Sequence, residues 1–342
     1  MSKTVYFLGA GSTIDAAPEA PTNKDLVKKA LTDFIKSDDA QALLDFIADL
    51  FHRSDPVIDN QIWNLLDYII QEGKSPCPKY NLENIVELRK HLLHLIIQEF
   101  QRSLEIVEPR IHEMFVEKIK DSESSIISTN YDILIDHALS KTIGLNYGPK
   151  VRSWITGGYE DSGGFQRAAV YGPGMSLNKG RIPLLKIHGS LNWLFCSKCD
   201  EVDITTDKGA VRTVTGDYYC FNKHCTNKYS SLLITPTMFK NYENRFIKET
   251  WEYAEKALIE ADRLVFIGYA LKDEDYQIRC LLMKALLNKT SRYSDIVVIE
   301  RKPKNKKDEE YLEANVKKKY EDLYGGIGFR TIGFTGYIDS IK

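Results

Sequence analysis

A histidine and a set of cysteines lie close together near the middle of the chain. His188 follows the short apolar run 184–187 and precedes Gly189 and Ser190. A histidine in a turn at a strand end favours a general base, because imidazole titrates near neutral pH; a satisfied structural histidine is the alternative. Eight residues further on begins an array of two cysteine pairs, Cys196 with Cys199 and Cys220 with Cys225.

The spacing of the cysteine array is that of a zinc ribbon, in which two turns supply four thiolates to a tetrahedral ion. Four protein ligands leave no open coordination position, so the sequence predicts structural Zn²⁺. His224 is an alternative to Cys225 as the fourth ligand, although thiolate is favoured. We therefore predict a zinc-ribbon module over residues 196–231, held together by its metal.

Polar or glycine-rich segments follow two other predicted strands. Gly9, Ala10, Gly11 and Ser12 close the first strand. Glycines there let backbone N–H groups approach a phosphate, although an ordinary strand-to-helix turn is equally consistent. Thr129, Asn130 and Asp132 follow the second strand. An asparagine both donates and accepts, which suits a ribose or a water; helix capping is the alternative for all three.

Two later strand ends carry similar features. Gly268 and Tyr269 form a turn before a predicted helix, and Glu300 follows the run 296–299. An acid at the end of a parallel strand can chelate a ribose diol. An ordinary turn and an exposed glutamate are the alternatives for these two places.

These segments lie at the ends of short apolar runs that alternate with helical patterns. Runs that are apolar on both faces predict parallel strands covered by helices. The predicted strands are Thr4–Leu8, 125–128, 184–187, 232–235, 264–267 and 296–299. Residues 38–120 instead carry leucine and isoleucine at helical spacing with no strand signal. The fold class predicted is α/β, a Rossmann-like doubly wound parallel sheet with an all-helical insertion and a small zinc-ribbon module.

Composition restricts the classes of partner. The chain has 342 residues, 46 Lys and Arg against 48 Asp and Glu, and a net charge of −2. This balance gives no basic footprint for direct nucleic-acid binding, and no apolar run is long enough to cross a bilayer. Six cysteines are too few for a disulfide scaffold, so we expect a cytoplasmic protein. The predicted domains are 1–37 with 121–342, which form the Rossmann-like sheet, and the insertion 38–120.

In chain order, Gly-Ala-Gly-Ser, Thr-Asn-Tyr-Asp, Lys-Ile-His-Gly-Ser, the cysteine pairs and Gly-Tyr-Ala-Leu resemble the sirtuin superfamily, in particular its divergent bacterial members. The resemblance covers most of the chain outside residues 13–120 and implies a Rossmann-like NAD site. It assigns His188 as catalytic base and Asn130 and Asp132 to the nicotinamide-ribose pocket. The remaining implied NAD-binding residues are the pyrophosphate cradle Gly9, Ala10, Gly11 and Ser12, then Thr129, Gly268 and Tyr269, and Glu300 near the adenine ribose.

Three departures separate the chain from deacetylating sirtuins. Those enzymes continue their glycine loop with Gly-Ile-Pro-Asp-Phe-Arg, carry Gln before the pocket asparagine and clamp an acyl-lysine peptide with Val-x-Phe-Gly-Glu. This chain reads Thr-Ile-Asp-Ala-Ala-Pro over 13–18, has Thr129 before Asn130, and reads Leu-Ile-Thr-Pro-Thr-Met-Phe over 233–239. The NAD half matches and the peptide half does not.

The resemblance therefore implies hydrolysis of NAD to nicotinamide and ADP-ribose, as in effectors of anti-phage defence. Such effectors imply an activating protein partner, and we expect a homo-oligomer. The alternatives are an NAD-dependent deacylase, an ADP-ribosyltransferase, and a non-catalytic sensor of NAD or ADP-ribose.

Overall fold

Two β-sheets organise the chain in the computed structural model, which describes residues 2–18, 20, 26–51, 61–104, 110–148, 153–156, 182–205, 218–220, 222, 224–235, 237, 240 and 242–341. The strands are β1 (Thr4–Leu8), β2 (Ser124–Ser128), β3 (Ser153–Thr156), β4 (Leu184–Lys186), β5 (Gly189–Cys196), β6 (Glu201–Thr205), β7 (Ser230–Leu233), β8 (Arg263–Ile267), β9 (Asp295–Ile299) and β10 (Gly328–Arg330). The helices are α1 (Ala10–Ala16), α2 (Leu26–Asp33), α3 (Asp38–Phe51), α4 (Gln61–Glu72), α5 (Leu82–Leu104), α6 (Arg110–Ile119), α7 (Leu134–Thr142), α8 (Arg245–Glu260), α9 (Tyr276–Asn288), α10 (Lys306–Tyr311), α11 (Lys318–Tyr324) and α12 (Gly333–Ser340). A 3-10 turn (Asp273–Asp275) precedes α9, and a π-helical stretch (Leu312–Lys317) joins α10 to α11.

The larger sheet is the predicted doubly wound parallel sheet. Its order is β10-β9-β8-β1-β2-β4, and each neighbouring pair is parallel. Apolar side chains on both faces of β1 and β8 are buried under helices, which explains why these runs lack polar alternation. The chain builds outward from β1 to β4 on one side and from β8 to β10 on the other. The strand order therefore reverses between β1 and β8, where open α/β sheets bind ligands.

The smaller sheet has the order β3-β6-β5-β7 and continues directly from the larger one. Only Ile187 and His188 separate β4 from β5. Gly189 makes this corner with a φ of +80°, and a Cβ there would lie 2.1 Å from the carbonyl oxygen of Leu232. The prediction of a parallel-sheet strand at 232–235 was wrong: Ser230–Leu233 pairs antiparallel with β5. Only Leu232 of this strand is buried, as in a strand covered on one face.

Helices occupy the described residues between β1 and β2. Helices α2 to α5 share one apolar core, and that core extends to Tyr131 and Leu191 beside the larger sheet. Helices α3 to α6 fall within the predicted insertion, whose boundaries stay a prediction; α2 already contributes Leu26 and Leu31 to the shared core. Among the described residues, no helix combines the length and the apolar character needed to cross a membrane.

Candidate functional site

A cavity of about 260 Å³ lies at the carboxyl edge of the larger sheet, where the strand order reverses. The segments that line it follow β1, β2, β4, β8 and β9, the strands whose ends the sequence singled out. The predicted site residues that line it are Ala10, Gly11, Thr129, Asn130, Asp132, His188, Gly268, Tyr269 and Glu300. Gly9 and Ser12 are not among the lining residues.

The two glycine turns on either side of the reversal pack backbone against backbone. The Gly11 amide donates to the Gly268 carbonyl at 2.9 Å. Gly268 has a φ of +62°, and a Cβ on it would lie 2.4 Å from the Gly11 Cα. These turns need glycine for their mutual contact, whatever they bind. Helix α1 begins at Ala10 beside the cavity, but the amides of Gly11 and Ser12 are already bonded, to the carbonyls of Gly268 and Gly9.

Asn130 connects the end of β2 to the turn after β1. Its Nδ2 lies 3.0 Å from the Gly9 carbonyl oxygen, 3.1 Å from Ser12 Oγ and 3.0 Å from Thr13 Oγ1. Ser12 Oγ in turn donates to the Gly9 carbonyl at 2.8 Å. Gly9 and Ser12 therefore support Asn130 from outside the cavity. A carbonyl oxygen only accepts, so the amide nitrogen faces the turn and Oδ1 is left as an acceptor for a ligand.

Asp132 and Lys186 hold the segment after β2. Asp132 is buried; its carboxylate accepts from Thr13 Oγ1 at 2.5 Å and from the Leu134 amide at 3.0 Å, at the start of α7. Asp132 thus bonds the first amide of α7 from the position before the N-cap residue, Ile133, and its role as a site residue stays a prediction. Lys186 donates to the Asp132 carbonyl and pairs with Asp136 at 3.0 Å, both side chains being buried.

His188 presents an unsatisfied nitrogen in the cavity wall. Its side chain stacks on Tyr131 with ring centroids 6.5 Å apart. Nε2 is buried and has no hydrogen-bond partner among the residues that the structure describes. Burial lowers the pKa of His188 to about 4, against the opposing charge of Asp275. The ring is therefore neutral at pH 7 and able to accept a proton.

Glu300 presents a second unsatisfied atom on the opposite side of the reversal. Its Oε1 is buried without a hydrogen-bond partner in the described part of the chain. Burial raises the pKa of Glu300 to about 7; Arg301 opposes this rise and Asp15 adds to it. Near neutral pH the carboxyl therefore both donates and accepts, which suits a diol. Buried polar atoms are normally hydrogen-bonded, so two unpaired ones in a single cavity indicate a ligand site.

Sequence reasoning missed several cavity residues. Asp275 lines the cavity, and its carboxylate accepts from Lys240 and, at 3.1 Å, from the Tyr269 hydroxyl. Phe100 of α5 lines it too and packs edge-on against Tyr131 at 5.9 Å. Asp275 lies between the predicted Gly268 turn and the helix that follows it, and this position at a strand end was a signal that could have identified it. Phe100 carries no signal beyond helical periodicity.

The four predicted cysteines form one cluster. Their Sγ atoms all lie within 4.8 Å of one another, with 3.7 Å between Cys196 and Cys225 and between Cys199 and Cys220. A tetrahedron of thiolates around zinc has edges of about 3.8 Å, so the donor set fits zinc. Backbone and side-chain N–H groups of Asn227 lie 3.5–3.6 Å from Cys225 and Cys196 sulfurs. The cluster uses Cys225, while His224 is exposed and outside it.

A family model described as the SIR2-like domain matches residues 124–320, more than half of the chain. The chain belongs to the SIR2-like family. The matched region contains Asn130, His188, Glu300 and all four clustered cysteines, whereas β1 and its glycine turn precede it.

Solved Sir2 structures are similar to this SIR2-like chain. One, from work on the mechanism and regulation of Sir2 enzymes, is 12% identical with a TM-score of 0.45, over 98% of this chain and 88% of that one. A second, of Sir2 with a p53 peptide and NAD⁺, is 8% identical with a TM-score of 0.47, over 99% and 91%. No curated protein matches the chain.

Proposed function

We propose that this chain hydrolyses the nicotinamide–ribose bond of NAD and releases nicotinamide and ADP-ribose. The observation that carries the proposal is the cavity where the strand order reverses. Asn130, with its free Oδ1, and His188, with its unpaired Nε2, both line this cavity. We place the pyrophosphate beside the turns at Gly11 and Gly268, because open α/β sheets bind ligands where the strand order reverses. Glu300 suits the diol of the adenine ribose.

The reaction consumes one water. The bond between ribose and nicotinamide breaks, the ribose becomes cation-like, and nicotinamide leaves as a neutral molecule. Asn130 Oδ1 accepts a hydrogen bond from the sugar or the water, and water oxygen bonds to the ribose carbon. His188 Nε2 takes the proton that the water loses and passes it to solvent. A base with a pKa of about 4 is weak, but a water attacking a cation-like carbon loses its proton readily.

The segment after β7 supports hydrolysis over peptide deacylation. The resemblance places 233–239 where deacetylating sirtuins clamp their peptide; positions 236, 238 and 239 lie outside the described residues. Thr235 and Thr237 donate to Asp67 Oδ2 of α4 at 3.1 and 2.9 Å. Arg89 of α5 holds the other Asp67 oxygen at 3.0 Å. The helices thus engage the segment that a peptide would need.

Product analysis tests the proposal. Purified protein, with any activator it requires, is incubated with NAD and the products are separated by chromatography. We expect nicotinamide and ADP-ribose in equal amounts, with loss of both in His188→Ala and Asn130→Ala. The exposed residues His224 and Asn288 provide matched controls, and their alanine variants should keep full activity.

Other outcomes reject the proposal in favour of a named alternative. Undiminished turnover in both site variants contradicts the assigned site. O-acyl-ADP-ribose identifies a deacylase, and a labelled protein identifies an ADP-ribosyltransferase. Saturable NAD binding in calorimetry, with no nicotinamide release under activating conditions, identifies a sensor.

Depletion of NAD harms the cell that makes the enzyme, so its activity has to be controlled. We therefore propose a cytoplasmic effector of anti-phage defence that is switched by a protein partner and works as a homo-oligomer. All six cysteines are unpaired, which fits a reducing compartment. Helices α3 to α6 are the proposed contact region, and Tyr68 and Val86 are exposed there. Light scattering of Tyr68→Glu and Val86→Glu variants should show smaller particles; unchanged size counts against this region.

A further inference from the structure

Asp275 occupies a helix N-cap without capping the helix. An aspartate at this position normally accepts a backbone N–H of the first turn, but the Asp275 side chain makes no such bond with α9. The residue is only 8% exposed. Its carboxylate instead binds Lys240 Nζ and the Tyr269 hydroxyl at the cavity wall. The chain therefore directs this carboxylate into the site rather than onto the helix.

Asp275 and His188 line the same cavity from different segments. Among the described residues, two charged groups act on the pKa of His188: Asp275 before α9 raises it and Lys240 after β7 lowers it. Tyr131 stacks on its ring from the end of β2, and burial raises the pKa of that phenol well above its usual value, so it stays neutral. Burial also raises the pKa of Asp275, but His188 and Lys240 outweigh that effect and leave it lowered. Asp275 is thus ionised at neutral pH.

We propose that Asp275 is a positioning residue that acts through His188, its carboxylate stabilising the imidazolium formed when His188 takes the proton from the attacking water. This inference rests on the proposed NAD hydrolysis. The proton moves from the water oxygen to Nε2 and then to solvent, and Asp275 stays ionised throughout. Without Asp275, the imidazolium would form with only the Lys240 ammonium nearby, and two like charges in a buried site repel strongly.

The electrostatic role differs from a structural one in a measurable way. If the Lys240–Asp275 ion pair only stabilises the fold, substituting either residue should change the pKa of His188 in the same direction. If the pair sets the proton affinity of His188, the two substitutions act in opposite directions. Asp275→Asn removes the negative charge and lowers the pKa of His188. Lys240→Met removes the positive charge and raises it.

Two readouts distinguish these roles. The chain has seven histidines, so NMR of protein labelled at histidine Cε1 gives a spectrum of few signals. The signal that disappears in His188→Gln is that of His188. We expect the His188 midpoint to move by about one pH unit, downward in Asp275→Asn and upward in Lys240→Met. The acid limb of kcat should move in the same two directions. At pH 7, Asp275→Asn should lower kcat up to about tenfold, the factor that corresponds to one pH unit, and Asp275→Glu should restore most of it.

The outcomes separate this inference from the proposed function. Shifts in the same direction, or no shift in either variant, overturn the role of Asp275. If the His188 midpoint shifts in opposite directions in the two variants but the wild-type protein releases no nicotinamide, the charge coupling is supported and the proposed function is rejected. If Asp275→Asn does not fold, the double variant with Lys240→Met removes both charges. Its His188 midpoint should lie below that of Lys240→Met alone, and an equal midpoint overturns the inference.

Discussion

The side-chain amide of Asn130 donates to the backbone carbonyl of Gly9 across 3.0 Å. This bond joins the ends of β1 and β2 and fixes which face of the amide meets the cavity. Because the carbonyl cannot donate, a side chain at position 130 must supply an N–H toward the turn and an acceptor toward the ligand. A carboxamide does both, whereas a carboxylate has no N–H to donate.

Asn130→Asp tests this requirement more sharply than alanine does. A carboxylate cannot donate to Gly9, so repulsion between the two oxygens should displace the side chain. We expect nicotinamide release to fall about a hundredfold, the usual order for a misplaced catalytic group. Asn288→Asp, on the exposed face of α9, is the matched control. Activity of Asn130→Asp within threefold of wild type would contradict the orientation of the amide.

Gly268→Ala tests the contact between the two glycine turns. The added Cβ would lie 2.4 Å from the Gly11 Cα, at a φ of +62°. We expect the free energy of unfolding in urea to fall by about 2–4 kcal/mol, the sum of left-handed strain and overpacking. Gly73→Ala isolates the strain, since its φ is +67° with nothing within 4 Å; about 1 kcal/mol is expected there. Equal losses at both positions would show that the turns do not need their close contact.

Removal of one thiolate should release the metal and loosen the smaller sheet. We expect Cys220→Ser to lose one zinc per chain by elemental analysis and to unfold at a lower temperature, because zinc-site binding energy contributes directly to folding. The exposed Cys280→Ser and His224→Ala variants should keep both metal and stability. Zinc retained in Cys225→Ser but lost in His224→Ala would make His224 the fourth ligand in place of Cys225.

The Glu300 carboxyl should make stability depend on pH. Its pKa is raised from 4.5 to about 7, chiefly by burial. Between these values the folded protein keeps a proton that the unfolded chain has lost, so this group's contribution declines as pH rises through that window. The decline is about 3 kcal/mol in total.

His112 and His188 act in the opposite sense over pH 4 to 6.5, because burial lowers the pKa of each to about 4. The contribution of Glu300 is therefore measured as the difference between a Glu300 variant and wild type, in which the histidine contributions cancel. The free energy of unfolding of Glu300→Gln, minus that of wild type, should rise by about 3 kcal/mol between pH 4.5 and 7.5. Glu309→Gln, on an exposed part of α10, should show a flat difference. A flat difference for Glu300→Gln as well would mean that its carboxyl is ionised in the folded protein.

The part of the cavity that lies at strand ends could be predicted from the sequence. Parallel strands end at the same edge of a sheet, so the residues after β1, β2, β4, β8 and β9 had to meet. Asn130, His188 and Glu300 were found in this way. The cysteine cluster was predictable for a similar reason, because its spacing already encodes the tetrahedral geometry.

Contacts set by tertiary packing were not predictable. Lys240 and Asp275 are 35 positions apart, and Asp67 and Thr237 are 170 apart, with no shared pattern to connect them. The strand at Ser230–Leu233 was assigned to the wrong sheet because a short apolar run does not show whether one face or two will be covered. Ser12 was predicted to touch a phosphate, yet its hydroxyl supports Asn130 from outside the cavity.

The corner between β4 and β5 places His188 where the two sheets are joined. The imidazole lies in the two-residue connection between the larger and the smaller sheet, and any side chain at Gly189 would collide with the Leu232 carbonyl. A change in the angle between the two sheets would therefore move the His188 side chain. The cysteine cluster lies at the far end of β5, a strand of 8 residues, so a ligand bound there would act on the cavity without entering it.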